Sequence, residues 1–213
     1  MDFSRTPRQS RFALRAAGAV CLALAAAHAQ AWVLTVSPGP KTIYLQVGNG
    51  SYTGFYNSGG TPLNNSTVNL VSVTVPVTQL GKGTAQTMSS NSAASVSFYD
   101  NFAVCNPPGQ VYVGGWARLP SGTGTAVLSV TSPPNLVSGT STIPFTSISW
   151  TSTANGNATA DIPAGTFTGG TQTLRNIAAG TWVENCLTFA YANTTVPRQG
   201  TYTGRVTYQL VLP

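Results

Sequence analysis

Apolar and polar residues alternate with a period of two along the last stretch of the chain. Tyr202, Gly204, Val206, Tyr208, Leu210 and Leu212 fall on one face, and Thr203, Arg205, Thr207 and Gln209 on the other. Ala126, Leu128 and Val130 repeat the pattern. Other strand-like runs occupy residues 33–36, 42–47, 68–75, 94–98, 102–105, 110–113, 145–150, 158–162 and 181–192. They are rich in valine and threonine, which are stiff at χ1 and suit a pleated surface. Gly, Asn and Pro recur between the runs, as turns require. No window carries apolar residues at i, i+3, i+4 and i+7 over three turns, the mark of an amphipathic helix. Strands at this spacing, without crossover helices, predict an all-β chain folded as an antiparallel immunoglobulin-like sandwich. Residues 49–65 and 81–92, rich in Gly, Ser and Asn, read as long loops.

The first 31 residues break this pattern. Arg5, Arg8, Arg11 and Arg15 precede an apolar run from Ala16 to Ala27, and Ala29-Gln30-Ala31 offers the small residues a signal peptidase accepts. A cleaved secretory signal is expected, with Ala31 and Trp32 flanking the cut. The apolar run is shorter than the roughly 20 residues of a spanning helix, so no transmembrane span is expected in the mature chain. Taking 31 residues from 213 leaves 182, enough to bury the core of a single secreted domain, 32–213.

Cleavage also changes the charge. The whole chain is formally +6, but four of its ten basic residues lie in the leader. Lys41, Lys82, Arg118, Arg175, Arg198 and Arg205 then face only Asp100, Asp161 and Glu184, a balance of +3. The six cations are scattered. Nucleic-acid binding needs a dense basic surface that displaces counterions, and is not expected.

Candidate chemistry is sparse. The one histidine, His28, lies in the leader, so a Ser-His-Asp triad is excluded from the mature chain. No Gly-x-Ser-x-Gly elbow occurs. Gly81-Lys82-Gly83-Thr84 lacks the spacing of a phosphate loop and reads as a turn. Asn155-Gly156-Asn157, followed by Asp161, offers oxygen ligands to calcium but only one carboxylate, and reads as a hairpin turn. Glu184 precedes Cys186 by two residues and shares its strand face; an arginine or a backbone amide is the expected partner. No catalytic residue, metal or cofactor is expected, and the chain reads as non-enzymatic. Cys105 and Cys186, the cysteines that remain after export, are expected to form a disulfide. Trp116, Trp150 and Trp182 lie in or beside strands and are assigned to the core. Tyr52, Phe55 and Tyr56 sit in a glycine-rich loop and form the candidate ligand loop.

The terminal strand adds a family likeness. Gly200-Thr201-Tyr202-Thr203-Gly204-Arg205-Val206-Thr207-Tyr208-Gln209-Leu210-Val211-Leu212 opens on a glycine that stands fourteenth from the end. With the leader, the charge-poor Thr/Gly/Ser composition and the cysteine pair, it resembles bacterial fimbrial subunits, the pilin-like proteins handled by periplasmic chaperones and outer-membrane ushers. The resemblance implies that Gly200, Tyr202, Gly204, Val206, Tyr208, Leu210 and Leu212 form the assembly strand that the chaperone grips. It implies an incomplete sandwich, completed when a neighbouring subunit lends an N-terminal strand. Trp32, Leu34 and Val36 would then anchor that donor strand, with Pro38-Gly39-Pro40 as its hinge. The implied partners are other fibre subunits, a chaperone and an usher. The implied route runs through the periplasm to a fimbrium on the cell surface, with a role in structure or adhesion. The alternative is a self-complete secreted binding domain that takes carbohydrate at Tyr52, Phe55 and Tyr56.

Overall fold

Among the described residues, fifteen strands form where the chain can put side chains on alternate sides of a sheet. They are β1 (Thr42–Val47), β2 (Tyr52–Thr53), β3 (Thr61–Pro62), β4 (Val71–Ser72), β5 (Gln86–Thr87), β6 (Ser89–Ser90) and β7 (Val111–Arg118). Next come β8 (Thr125–Thr131), β9 (Asn135–Ser138), β10 (Ser141–Pro144), β11 (Ile148–Ala154) and β12 (Gly165–Thr166). The last are β13 (Thr171–Ala178), β14 (Trp182–Tyr191) and β15 (Thr207–Val211). This is a computed structural model in which residues 39–155 and 159–212 are described, all within one compact unit, Pro38–Pro213. Ala31, Trp32, Leu34 and Val36 lie outside the described residues, as do Gly156 and Asn157.

The expected all-β fold is present as an antiparallel sandwich. One sheet runs β1-β7-β14-β11-β12, with β5 also paired to β14; the other runs β13-β8-β15. The chain crosses repeatedly between them. It passes from β7 to β8, returns to β11 after the β9–β10 hairpin, crosses to β13, back to β14 and over to β15. Between the sheets, Val113 and Leu187 meet Leu128, Ile177 and Leu210 in one apolar cluster that also holds Trp150. Full burial of each such side chain contributes about 1.5–3 kcal/mol.

Strand β7 shows why some strands carry no alternation. From Val111 to Ala117 every residue is buried. Val111, Val113 and Ala117 point into the sandwich, while Tyr112 belongs to a second cluster with Cys105 and Cys186 on the opposite face. A strand covered on both faces reads as a continuous apolar run.

Several expected strands are shorter or absent, for local reasons. In residues 68–75 only β4 is paired, with β6. The Leu70 amide bonds the Asn91 side chain instead (2.8 Å), and the Asn69 carboxamide ties the run back to the Val47 carbonyl (2.7 Å). Residues 94–98 and 102–105 form no ladder: they share the isolated bridge Val96–Ala103 and a bond from the Cys105 amide to the Ser95 carbonyl, around Asn101 in the left-handed region. Residues 145–147 are a 3-10 turn after Pro144, and β11 starts at Ile148. The described part of 158–162 forms no strand: the Ile162 amide is held by the buried Asn185 Oδ1 at 2.7 Å. Strands β9, β10 and β13, which the sequence pattern missed, mix apolar residues with Asn, Ser, Gln and Arg.

The terminal strand is half the expected length. Its faces are as predicted, with Leu210 buried and Val206, Tyr208 and Leu212 half-buried, while Thr207 and Gln209 are exposed. The ladder to β8 begins only at Thr207. Upstream, Thr203 crosses to the β9–β10 hairpin and bonds Val137 both ways, at 2.9 and 3.0 Å. Gly204 permits this crossing, since a Cβ there would lie 2.7 Å from the Phe145 ring. Gly200 and Tyr202 stand in the preceding connection, where the Tyr202 hydroxyl bonds the Arg198 carbonyl at 2.8 Å.

Candidate functional site

Two features could carry function. The first is the seam where the two sheets present unpaired edges. Among the described residues, strand β1 pairs only with β7, and β15 only with β8. Among the described residues, no strand pairs with the outer edge of either. The two edges flank a groove of about 360 Å³, lined by Lys41, Thr42, Ile43, Leu210, Val211 and Leu212. Ile43 is 46% exposed and Val211 42%. An unpaired edge leaves backbone N–H and C=O groups ready to add a strand. The Lys41 ammonium approaches the Leu212 carbonyl at 3.4 Å.

The second is an aromatic layer on the outer face of the larger sheet. On β14, Trp182, Glu184 and Cys186 share this face, as the two-residue spacing requires. The loops 48–62 and 94–105 lie over it. The Tyr56 and Asn57 amides bond the Phe98 and Tyr99 carbonyls at 2.8 and 3.0 Å, which joins the two loops. Cys105 and Cys186 are disulfide-bonded, pinning the second loop to β14.

Rings meet throughout this layer. Tyr56 packs on Trp116 and Trp182 at centroid distances of 5.0 and 5.2 Å, and stacks on Tyr99 at 5.6 Å. Tyr52 stacks on Phe98 at 5.7 Å and meets Tyr44 edge-on at 5.2 Å. Contacts of this kind add about 0.5–1.5 kcal/mol each beyond area burial.

Under the rings lies Glu184. Its Oε2 accepts from Ser97 Oγ (2.6 Å), the Tyr112 hydroxyl (2.6 Å) and Trp182 Nε1 (2.9 Å). The expectation of an arginine or a backbone amide is therefore corrected. Two hydroxyls and an indole hold this carboxylate: β7 supplies Tyr112, β14 itself supplies Trp182, and the covering loop supplies Ser97. Gly114, directly opposite Glu184 in the ladder, makes room for the Tyr112 ring. A Cβ at Gly114 would lie 2.5 Å from the Tyr112 hydroxyl.

The candidate ligand loop is thus divided. Tyr52 and Tyr56 are half-buried members of the ring layer, and Phe55 shows no ring contact among the described residues. The sequence reading missed Tyr99, 37% exposed, because it stands in a different loop. Trp116 and Trp150 are buried as expected, but Trp182 is only half-buried. Gly81-Lys82-Gly83-Thr84 is a turn, with both glycines at positive φ. Asp161 pairs with Arg175 at 3.4 Å. Among the described residues, no group of three His, Cys, Asp or Glu side chains could hold a metal, and no helix is long and apolar enough to cross a membrane.

Burial pushes the phenols of Tyr44, Tyr52, Tyr112 and Tyr208 above their ordinary range; the neighbouring Glu184 carboxylate adds to the effect at Tyr112. At Tyr52 the Trp116 indole acts in the opposite sense, although neither polar atom has a well-formed hydrogen bond. Tyrosines of the unfolded chain ionise near pH 10. A folded-state pKa above that value favours the folded chain fully below pH 10, and the advantage is lost as pH climbs through the folded pKa values. Alkaline unfolding is expected above pH 10, with tyrosinate absorbance rising together with loss of near-UV dichroism. Independent ionisation of all tyrosines near pH 10, with the fold intact, would contradict this.

No protein-family model, curated protein or solved structure matches the chain, so its function is argued from its own residues.

Proposed function

We propose that this chain is a non-enzymatic structural or adhesive subunit of a surface fibre, assembled by β-strand addition at the β1–β15 seam. The observation that carries this reading is the pair of edges from opposite sheets, unpaired among the described residues, that flank an apolar groove. Edges of this kind are a liability that proteins normally blunt or cover. Here Ile43 and Val211 leave apolar surface exposed on them. Leu210 of β15 and Leu212 just beyond its end also support the likeness to pilin-like subunits, as does the expected secretory leader. In this reading Trp32, Leu34 and Val36 of one subunit anchor its donor strand in the groove of the next. A periplasmic chaperone and an usher are the implied partners, and export to the cell surface the implied route.

Oligomeric state tests the proposal. Unboiled gel electrophoresis of the mature protein should give a ladder that collapses to one band only on strong heating. Replacing Leu34 and Val36 with Asp should abolish the ladder. A monodisperse monomer that unfolds and refolds reversibly would sink the fibre reading. It would favour the self-complete binding domain, which the partly exposed aromatic layer also supports.

A further inference from the structure

The ring layer differs from an ordinary satellite core. Tyr56, Phe98 and Trp182 are only half-buried, and Tyr99 is 37% exposed, so the rings form an open shelf. The shelf is rigid: its two loops are bonded to each other, and the disulfide ties one of them to the sheet. Beside it stands an incompletely used acceptor. All three donors to Glu184 converge on Oε2. Among the described residues no donor reaches Oε1, and that atom is not buried. Glu184 is partly buried, with one oxygen locked in place by protein donors and the other reached by none of the described donors, two residues from the Trp182 ring on the same strand face.

We propose that this shelf binds a neutral pyranose glycan, stacked on Tyr99, Tyr56 and Trp182, with Glu184 Oε1 accepting from a sugar hydroxyl. The C–H-rich face of a pyranose carries slight positive charge and is attracted to the negative face of an aromatic ring. Its hydroxyls need a few placed polar groups to fix orientation. The exposed Asn57 and Asn101 at the shelf's rim supply neutral ones. A quaternary ammonium would need rings arranged around a void. Here neighbouring centroids lie 5.0–5.6 Å apart around Tyr56, which leaves no such space. The shelf also lies on β14, apart from the β1–β15 groove, so a glycan and an added strand do not compete for the same residues.

The test is titration of the whole mature protein with cellobiose, maltose, lactose, methyl α-mannoside and diacetylchitobiose. Tryptophan fluorescence and calorimetry report binding, with tetramethylammonium as the cationic probe. At least one sugar should give a saturable signal and tetramethylammonium none. Tyr99→Ala, a partly exposed position whose loss leaves the core intact, should weaken the sugar at least tenfold. Glu184→Gln, which keeps an acceptor for the buried donors, should weaken it several-fold in a variant that still folds. The proposal is overturned by no saturable response to any of the sugars, or by unchanged affinity in a folded Tyr99→Ala variant. Phe102, 72% exposed in the same loop and without a ring contact among the described residues, is the control: loss in Phe102→Ser with Tyr99→Ala unaffected would also overturn the proposal. Monomer and ladder should bind alike, so failure of strand addition and failure of the glycan site are read separately.

Discussion

Replacing Cys105 and Cys186 together with alanine is expected to destabilise the mature protein by roughly 4–5 kcal/mol. The bridge spans a sequence separation of 81, and cross-links across long loops remove the most freedom from the unfolded chain. For a domain of this size that corresponds to a fall in melting temperature on the order of 10 °C. The loss should have a local signature as well. Cys105 anchors the loop whose Ser97 hydroxyl bonds Glu184, and Cys186 lies buried beside Tyr112. Without the bridge, Trp182 should become more exposed, and its fluorescence should shift to the red before global unfolding. Thermal melts of the two proteins under oxidising conditions decide the matter. Equal melting temperatures would mean that the loop is held by its ring contacts and hydrogen bonds alone.

Asn193→Ala should cost about 2–4 kcal/mol, through loss of buried hydrogen bonds and a strained backbone. Asn193 is wholly buried, with φ of 55°, in the left-handed region that alanine adopts poorly. Its Oδ1 accepts from the Gly81 amide (3.0 Å), and its Nδ2 donates to the carbonyls of Gln79 (2.8 Å) and Thr84 (3.3 Å). One side chain thus holds the turn that contains Lys82, which is exposed. Brief trypsin digestion should cut the variant after Lys82 and spare the parent. Asn193→Gly separates the two causes, because it relieves the backbone and still loses the bonds. If Asn193→Ala melts like the parent and resists trypsin, the turn is stabilised by something other than this carboxamide.

These two positions illustrate what the sequence made legible. Strand β1 matches its predicted run from Thr42 to Val47, and the pairing of Cys105 with Cys186 follows from a two-cysteine chain expected in an oxidising compartment. The face of β15 that carries Leu210 was readable because one side of that strand meets the core and the other meets solvent. A period of two records that difference directly. The same logic fails for β7, which is covered on both faces, and for β13, whose one-sided pattern is interrupted by a register shift between Thr173 and Arg175. It also fails where side-chain carboxamides replace strand partners. Asn69, Asn91, Asn185 and Asn193 each bond backbone far away in sequence, and an asparagine that does so looks like any turn residue in the chain.

The candidate sites divide along the same line. Composition alone determined that residues 32–213, with no histidine and three scattered carboxylates, hold little material for hydrolytic or metal chemistry. Local pattern determined strand type and the inward face of the terminal strand. Only the tertiary structure decided that Tyr56, Tyr99 and Trp182 share one shelf, that Glu184 is held by Ser97, Tyr112 and Trp182, and that β1 and β15 flank one groove. Apart from Trp182 and Glu184, neighbours on one strand face, those groupings join residues from 43 to 171 positions apart. Periodicity reports which side of a strand faces the core, because that is set within a few residues of chain. Which distant strands and loops then meet is set by how the sheets pack and cross over, and no local pattern encodes it.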